Sequence, residues 1–191
     1  MNFSIRPLPT RGPLFEGAIA VYGEAFAQPP YNDPDRGAEI RTRMLDVHGV
    51  RKGFRAFVAV SEGERVVGMI YGYHSAPGQW WRDTVAKAIG RDLEREWLSD
   101  SYEVVEVAVA PAWQGRGVGR ALIWELLQGR EEATSVLSTR TDSRAHELYS
   151  RLGFETISTM AFAPRGALFH VMGKRLHQTA DQHEGRYAGT L

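Results

Sequence analysis

Cysteine is absent from the chain, and its absence excludes several kinds of chemistry. The protein can have no disulfide bond, no catalytic thiolate and no cysteine-ligated metal. Six histidines are present, but none forms the His-x-x-x-His pair that is typical of a helical metal site. We therefore predict that the protein binds no metal.

Long apolar runs and an excess of charge of one sign are also missing. No window approaches the roughly 18 apolar residues of a membrane span, and residues 1–12 lack the apolar core of a signal peptide. Lysine plus arginine number 23, and aspartate plus glutamate also number 23. Such a balance gives no field that steers the chain towards nucleic acid or an anionic membrane. We expect neither as a partner, and a cytoplasmic location by default.

The chain does have the size and composition of one globular domain. It has 191 residues, of which 43% are hydrophobic and 24% charged, which is ordinary for a globular protein with a buried core. We predict a single domain over residues 1–176. Residues 177–191 show little periodicity, and we interpret them as a flexible tail.

Hydrophobic periodicity predicts strands and helices that alternate in the second half of the chain. The predicted strands cover residues 3–8, 54–60, 65–73, 102–110, 135–139, 154–162 and 167–174. Predicted helices cover residues 13–26, 35–48, 82–98, 117–128 and 143–152. This order favours an α/β fold, in which a mixed sheet carries helices on both faces. The helix 82–98 lies within an insertion at about 74–101.

A glycine-rich turn leads into one of these helices, in the stretch PAWQGRGVGRALIWELL. The first N–H groups of a helix and the positive end of its dipole attract an anion, and glycines let the backbone approach it closely. The glycines are Gly115, Gly117 and Gly119, and Arg116 and Arg120 add charge. Arginine at position 120 fits neither a Walker loop nor a dinucleotide-binding fingerprint. The alternative is that the glycines only permit a sharp strand-to-helix turn and bind no anion.

Two motifs point to one family. The pattern Val-x-Pro-x-x-Gln-x-x-Gly-x-Gly is formed by Val109, Pro111, Gln114, Gly117 and Gly119. It resembles the acyl-coenzyme A binding motif of the GNAT (Gcn5-related) N-acetyltransferases. Residues 141–154, TDSRAHELYSRLGF, resemble a second family motif, a helix that ends in Tyr-x-x-Leu-Gly-Phe. The resemblance is strong over roughly residues 103–157 and elsewhere rests on the order of the elements.

The resemblance implies the GNAT fold and acetyl-CoA as acyl donor. In that fold two parallel central strands, here 103–109 and 135–139, splay apart and the cofactor enters the gap between them. The implied cofactor-binding residues are Val107, Ala108, Val109, Gln114, Gly115, Arg116, Gly117, Val118, Gly119, Arg120 and Asp142. Asp142 stands where the family often has asparagine, so it keeps an acceptor for the pantetheine arm but lacks the amide donor.

Acetyl transfer to an amine needs a base for the ammonium proton and a proton for the leaving thiolate. Glu103 and Glu106 are the candidate bases, and strand alternation predicts that they point to opposite faces of the sheet. We favour Glu103, which falls where histone-acetylating relatives carry their base, and a chain of water molecules is the alternative. The resemblance assigns the proton donor to Tyr149, which spacing alone would interpret as a core residue.

The acceptor cleft of the family lies between the first helices and the last strands. Phe26 and Tyr31 are therefore candidate acceptor-contacting residues, and Trp81 is a candidate wall or lid unless it simply packs the inserted helix. We predict an N-acetyltransferase that acts directly on a primary amine of a small molecule or peptide. A non-catalytic acyl-CoA-binding module is the alternative, and a nucleotide-binding protein is a third interpretation. Dimers are common in the family, which leaves a homodimer open.

Overall fold

The computed structural model of the protein describes residues 2–177, in which strands and helices follow the predicted order. The strands are β1 (Phe3–Pro7), β2 (Arg55–Ser61), β3 (Val66–Ser75), β4 (Ser101–Val109), β5 (Thr134–Arg140), β6 (Glu155–Ala161) and β7 (Leu168–Arg175). The helices are α1 (Pro13–Phe26), α2 (Arg36–Thr42), α3 (Trp80–Ile89), α4 (Arg91–Leu98), α5 (Val118–Leu127) and α6 (Ala145–Arg151). A π-helical segment, Arg43–His48, continues α2. Most of the predicted tail lies outside the described residues.

All seven strands form one sheet in the order β1-β2-β3-β4-β5-β7-β6. The pairing is antiparallel except between β4 and β5, which are parallel. These two strands share only three register pairs, the last of which joins Glu103 to Val136. Beyond that pair they separate and leave a gap in the middle of the sheet. The predicted α/β fold class with splayed central strands is confirmed.

Helices cover both faces of the sheet, and each face has its own apolar core. On one face α1 and α2 pack against β3 through residues such as Phe15, Ile40 and Met69. On the other face α5 places Leu122 and Leu126 against the sheet, next to Phe154. No helix among residues 2–177 is both long and apolar enough to cross a membrane.

The insertion between β3 and β4 differs from its prediction. The expected single helix 82–98 is wrong, because α3 and α4 are separated at Gly90, which has a φ of 81°. Glycine adopts this left-handed conformation without the steric penalty that a side chain brings, so it ends one helix and redirects the chain. The two short helices bury Val85 and Trp97 against Val136 of β5. Since Val136 is the register partner of Glu103, the insertion covers the sheet face that carries Glu103.

Candidate active site

A groove of about 1120 Å³ occupies the gap between β4 and β5. Its walls come from β4, the glycine turn, the start of α5, α6 and the loop between α1 and α2. The predicted site residues that line it are Phe26, Tyr31, Glu106, Val107, Ala108, Val109, Gln114, Gly115, Gly117, Val118, Gly119, Arg120, Asp142 and Tyr149. Three predicted site residues, Trp81, Glu103 and Arg116, are not among the lining residues.

The glycine turn presents bare backbone to this groove. Gly115 and Gly117 have φ angles of 72° and 84°, and a Cβ atom added to either would meet no atom of the described part of the chain within 4 Å. The first hydrogen bond of α5 runs from the N–H of Ala121 to the carbonyl of Gly117, at 3.0 Å. In a helix that starts this way, the amides at positions 118–120 have no carbonyl partner within the helix. Open space in front of these amides fits a phosphate group.

Main-chain groups at the end of β4 face the groove as well. The N–H of Ala110 bonds to the carbonyl of Val67 on β3, at 3.0 Å. Because backbone groups alternate between the two edges of a strand, those of Val107 and Val109 point to the opposite edge. There the side-chain amide of Gln114 donates to the carbonyl of Val109 at 3.1 Å. Among residues 2–177, this stretch of β4 has no strand pairing with β5, and it suits an extended amide-bearing chain such as pantetheine.

Two charged residues predicted to bind the cofactor have partners within the protein. Arg116 turns back on its own loop, where its Nε donates to the carbonyl of Ala112 at 3.0 Å. Asp142 accepts two hydrogen bonds from Arg140, at 2.9 and 2.8 Å. The bond from Arg140 holds the pKa of the Asp142 carboxyl below its usual value. Asp142 therefore remains an anion that is already paired.

A β-bulge in β4 overturns the predicted orientation of the two glutamates. Glu106 pairs with Tyr71 of β3 and Glu103 pairs with Tyr73, and the register shifts between them so that Val105 is the extra residue. Tyr71 and Tyr73 belong to the same core, beneath α1 and α2, and cross-strand partners share a face. Strict alternation would have separated the glutamates, but the extra residue restores both to one face.

Glu103 is buried beside this bulge. The residue is only 3% exposed, and its Oε2 has no hydrogen-bond partner among residues 2–177. Burial raises the pKa of the carboxyl to about 8, although the nearby Arg51 opposes the shift and Glu106 adds to it. At neutral pH the neutral form of the Glu103 carboxyl is therefore favoured, and the residue does not line the groove.

Glu106 has a more polar environment and reaches the groove. Its carboxylate lies 3.9 Å from Arg36 and 3.7 Å from Arg43, and its side chain is 11% exposed. Burial raises the pKa of this carboxyl, but Arg36, a hydrogen bond from the Tyr22 hydroxyl and Arg43 all favour the anion. Two arginines and a tyrosine hydroxyl thus favour the anion of Glu106, whereas Arg51 alone does so for Glu103.

Tyr149 lies on α6, across the groove from β4. Its ring is 5.9 Å from that of Phe154, and the residue is only 8% exposed. Burial raises the pKa of the phenol well above its ordinary value, and the nearby Tyr31 and Glu106 raise it further. The hydroxyl therefore keeps its proton at neutral pH and can donate it.

Aromatic and cationic side chains frame the end of the groove near Tyr31. The ring of Tyr31 lies 4.5 Å from that of Phe26, and the guanidinium of Arg140 lies 5.5 Å from the Tyr31 ring. Trp81 is not among the lining residues, but its Nε1 donates to Ser138 Oγ at 3.0 Å. Ser138 itself lines the groove, so Trp81 contacts the site through one residue.

Sequence reasoning missed the groups that surround Glu106. Tyr22 was interpreted as part of the apolar stripe of α1, yet its buried hydroxyl accepts a hydrogen bond from Arg36 at 2.9 Å. Arg36 and Arg43 lie two helical turns apart, a spacing that places them on one side of a helix. That spacing was the available signal, but it does not reveal which carboxylate the two arginines face.

Comparisons with known proteins decide the family. The acetyltransferase (GNAT) domain model matches residues 52–156, which is more than half of the chain. The chain belongs to the GNAT acetyltransferase family. Members of this family transfer an acetyl group from acetyl-CoA to an amine, and this chain is an acetyl-CoA-dependent N-acetyltransferase.

A curated relative supports the family, and solved structures support the fold. The acetyltransferase is 34% identical to a GCN5-like protein acetyltransferase of Mycobacterium tuberculosis, over 83% of this chain and 90% of the relative. A histone acetyltransferase HPA2 and related acetyltransferase from Corynebacterium glutamicum has a similar structure, with a TM-score of 0.66 and 24% identity over 94% of this chain and 99% of that one. A chain of the NatC complex bound to Gag peptide and CoA aligns with a TM-score of 0.60 and 15% identity, over 93% of this chain and 100% of that one.

Proposed function

We propose that this acetyltransferase acetylates a primary amine of a small molecule or peptide, which binds between the loop joining α1 to α2 and Tyr149. The observation that carries the proposal is the convergence of a carboxyl group flanked by two arginines, Glu106, and a protonated phenol, Tyr149, on one groove. A proton acceptor and a proton donor in one cleft are what amine acetylation requires.

The residues of the groove fit acetyl-CoA, which supplies the thioester acetyl group and the thiol that leaves. Gly115, Gly117 and the amides at positions 118–120 would hold its diphosphate, because a helix start with open backbone binds anions. The backbone of Val107 and Val109 would hold the pantetheine arm. Backbone N–H groups at this end of β4 would also polarise the acetyl oxygen, and one such donor typically contributes a few kcal/mol.

We assign the base to Glu106, in contrast to the expectation from sequence, which favoured Glu103. An alkyl ammonium has a pKa near 10, so a carboxylate that is already ionised must remove its proton, directly or through water. Glu106 lines the groove and is flanked by Arg36 and Arg43, whereas the carboxyl of Glu103 is buried and protonated at neutral pH.

The acceptor body is expected to be apolar near its amine. Phe26 and Tyr31 provide aromatic faces at this end of the groove, and such faces attract both apolar groups and ammonium ions. The name of the Mycobacterium tuberculosis relative supports a protein or peptide amine as one class of acceptor.

Thiol release from acetyl-CoA tests this proposal when it is measured with a panel of small primary amines and peptides. We expect release that depends on the acceptor, and we expect Glu106→Gln to lower it by about 100-fold near neutral pH. Glu103→Gln is the discriminating variant and should keep turnover within about threefold, because its carboxyl is already neutral. The reverse order of the two variants would return the base to Glu103.

A non-catalytic acyl-CoA-binding module gives a different result in the same assay. It would bind acetyl-CoA and release no thiol with any acceptor, and both glutamate variants would then behave like the wild type.

A further inference from the structure

The π-helical segment places His48 next to Tyr71 and Tyr73, two buried tyrosines of β3. In this segment, Arg43–His48, the chain widens after α2, and the N–H of Gly49 bonds five residues back to the carbonyl of Met44, at 2.9 Å. Single π turns are rare in proteins, but those that occur are often found at functional sites. Here the wide turn presses His48 against β3.

His48 connects the buried tyrosines of β3 to the protein surface. Its Nδ1 lies 3.0 Å from the hydroxyl of Tyr71, and its ring packs edge-on against Tyr73 with centroids 5.1 Å apart. The residue is 8% exposed, whereas Tyr71 is 0% exposed. Burial, with help from Arg51 and Arg43, lowers the pKa of His48 to about 4. The imidazole is therefore neutral at neutral pH, with one nitrogen that accepts a proton and one that donates.

Tyr71 leads from His48 to the proposed base. Tyr71 and Glu106 are direct register partners on β3 and β4, so their Cβ atoms lie about 5 Å apart on one face of the sheet. After burial, the charge of Glu106 is the largest influence that raises the pKa of the Tyr71 hydroxyl. The hydroxyl thus stays protonated, contacts the imidazole of His48 and lies within the electrostatic influence of Glu106.

We propose that Tyr71 and His48 carry the proton of the acceptor amine from Glu106 to bulk water, a step that rests on the proposed function. The protonated Glu106 gives its proton to a bridging water molecule, which passes one of its protons to the Tyr71 oxygen. The Tyr71 O–H bond breaks as a new N–H bond forms at His48 Nδ1, and the proton on His48 Nε2 leaves to bulk water. One proton enters and one leaves, so no charge accumulates along the route.

During turnover, the groove offers the proton on Glu106 no comparable path to bulk water. Its side chain is only 11% exposed, and a bound acceptor would cover that remaining face. The groups that face His48 are Arg43 from its own segment, Arg51 from the following loop, Tyr71 and Tyr73 from β3, and behind these Glu103 and Glu106 from β4. The two arginines disfavour an imidazolium, so His48 passes a proton on rather than holding it.

We call this path from Glu106 through Tyr71 to His48 the relay. Replacement of His48 tests the relay through a measurement that a loss of packing alone would not change. His48→Gln keeps a polar contact with Tyr71 but cannot exchange protons between two ring nitrogens. We expect kcat to fall by about tenfold with little change in the acceptor KM, an increased solvent deuterium effect on kcat, and recovery of kcat as imidazole buffer is raised. Tyr71→Phe, which keeps the ring, should lower kcat similarly without recovery in imidazole.

His74→Gln is the matched control. His74 lies on the same strand, but next to Tyr73 and therefore on the opposite face, where its Nδ1 lies 3.3 Å from Glu132. We expect its kcat, isotope effect and response to imidazole to equal those of the wild type.

The outcomes separate the relay from the function on which it rests. An active wild type with His48→Gln and Tyr71→Phe at full kcat would overturn the relay alone. A lower kcat without any change in isotope effect or imidazole response would also overturn it, since that pattern indicates lost packing. If the wild type releases no thiol with any amine, the proposed function fails and the relay fails with it.

Discussion

Burial raises the pKa of two glutamates three positions apart on one strand, but their charged neighbours differ. Glu103 is buried, and one of its carboxyl oxygens has no hydrogen-bond partner among residues 2–177, while Glu106 lies near Arg36 and Arg43 and accepts a hydrogen bond from Tyr22. Burial of a carboxyl group favours its neutral form, and nearby cations favour the anion. The surroundings of each side chain, rather than its residue type, therefore determine which one can remove a proton.

Glu103 should make the folded protein less stable as the pH rises. Its pKa is about 8 in the folded chain against an ordinary value of 4.5. Between these values the unfolded chain ionises Glu103 and the folded chain does not, so stability falls across this window by up to about 1.4 kcal/mol per pKa unit. Below pH 4.5 both states are protonated, and the effect disappears.

Glu103→Gln removes this dependence. The denaturation midpoint of the variant should match that of the wild type at pH 4 and exceed it by a growing margin up to pH 8. Urea denaturation across this range measures the difference. If the denaturation midpoints of the wild type and the variant differ by the same amount at all pH values, Glu103 ionises normally in the folded protein.

Tyr149→Phe should lower turnover while leaving the fold intact, because it removes only the hydroxyl that donates a proton. We expect kcat to fall by roughly 10- to 100-fold, with the thermal midpoint nearly unchanged. Tyr102→Phe is the matched control, since this buried tyrosine donates to the carbonyl of Gly53 at 3.2 Å. That variant should lose about 1 kcal/mol of stability and keep its turnover.

The start of α5 combines a conformational requirement with a binding surface. Gly117 is its N-cap with a φ of 84°, and Gly119 approaches α6 so closely that a Cβ atom there would lie 3.1 Å from Leu148. One glycine thus allows the turn and the other allows the helices to pack. Both keep side chains away from the amides at positions 118–120.

Gly117→Val should abolish acetyl-CoA binding, because a β-branched side chain would enter the space in front of these amides. Its left-handed backbone would also cost about 1–2 kcal/mol of stability. Gly129→Val is the control for that cost: Gly129 follows the other end of α5 with a φ of 65° and open space around its Cβ position. Calorimetric titration should show binding lost only in Gly117→Val, and equal affinity in both variants would contradict the assignment of the loop.

Sequence patterns predicted most elements but missed three local departures from regular structure. Apolar periodicity located the strands and α1, and the glycine motif located α5. The bulge at Val105, the break at Gly90 and the π-helical segment could not be predicted in this way. Each departure affects about one residue. Hydrophobic periodicity is evaluated over a much longer window, so a change at one residue is averaged out. The bulge mattered most, because it changed the face on which Glu106 lies.

The site as a whole is assembled from parts of the chain that are distant in sequence. Residues 25–31 reach the groove from the first helical hairpin, β4 and α5 contribute its floor and one end, and α6 closes the other side. A ligand in this groove therefore contacts segments that meet only when the complete sheet has formed. Ligand binding and folding must be thermodynamically linked.

Acetyl-CoA should accordingly raise the thermal midpoint of the whole protein in one cooperative transition. At a concentration 100 times its Kd the stabilisation is about 2.7 kcal/mol, which corresponds to roughly 5–10 °C for a chain of this size. ATP and NAD are the controls and should give little shift, because neither has a pantetheine arm. A comparable shift with either would favour a nucleotide-binding protein.

The extra residue in β4, Val105, determines the face of the sheet on which each later side chain of that strand lies. Deletion of Val105 would reverse which side chains point up and which point down from position 106 to the strand's end. Val107 and Val109 would then turn away from α5 towards α1, and the Glu106 carboxylate would enter an apolar layer without its arginines. Loss of this one residue would therefore convert the acid–base centre into a packing defect, even though no functional side chain had been replaced.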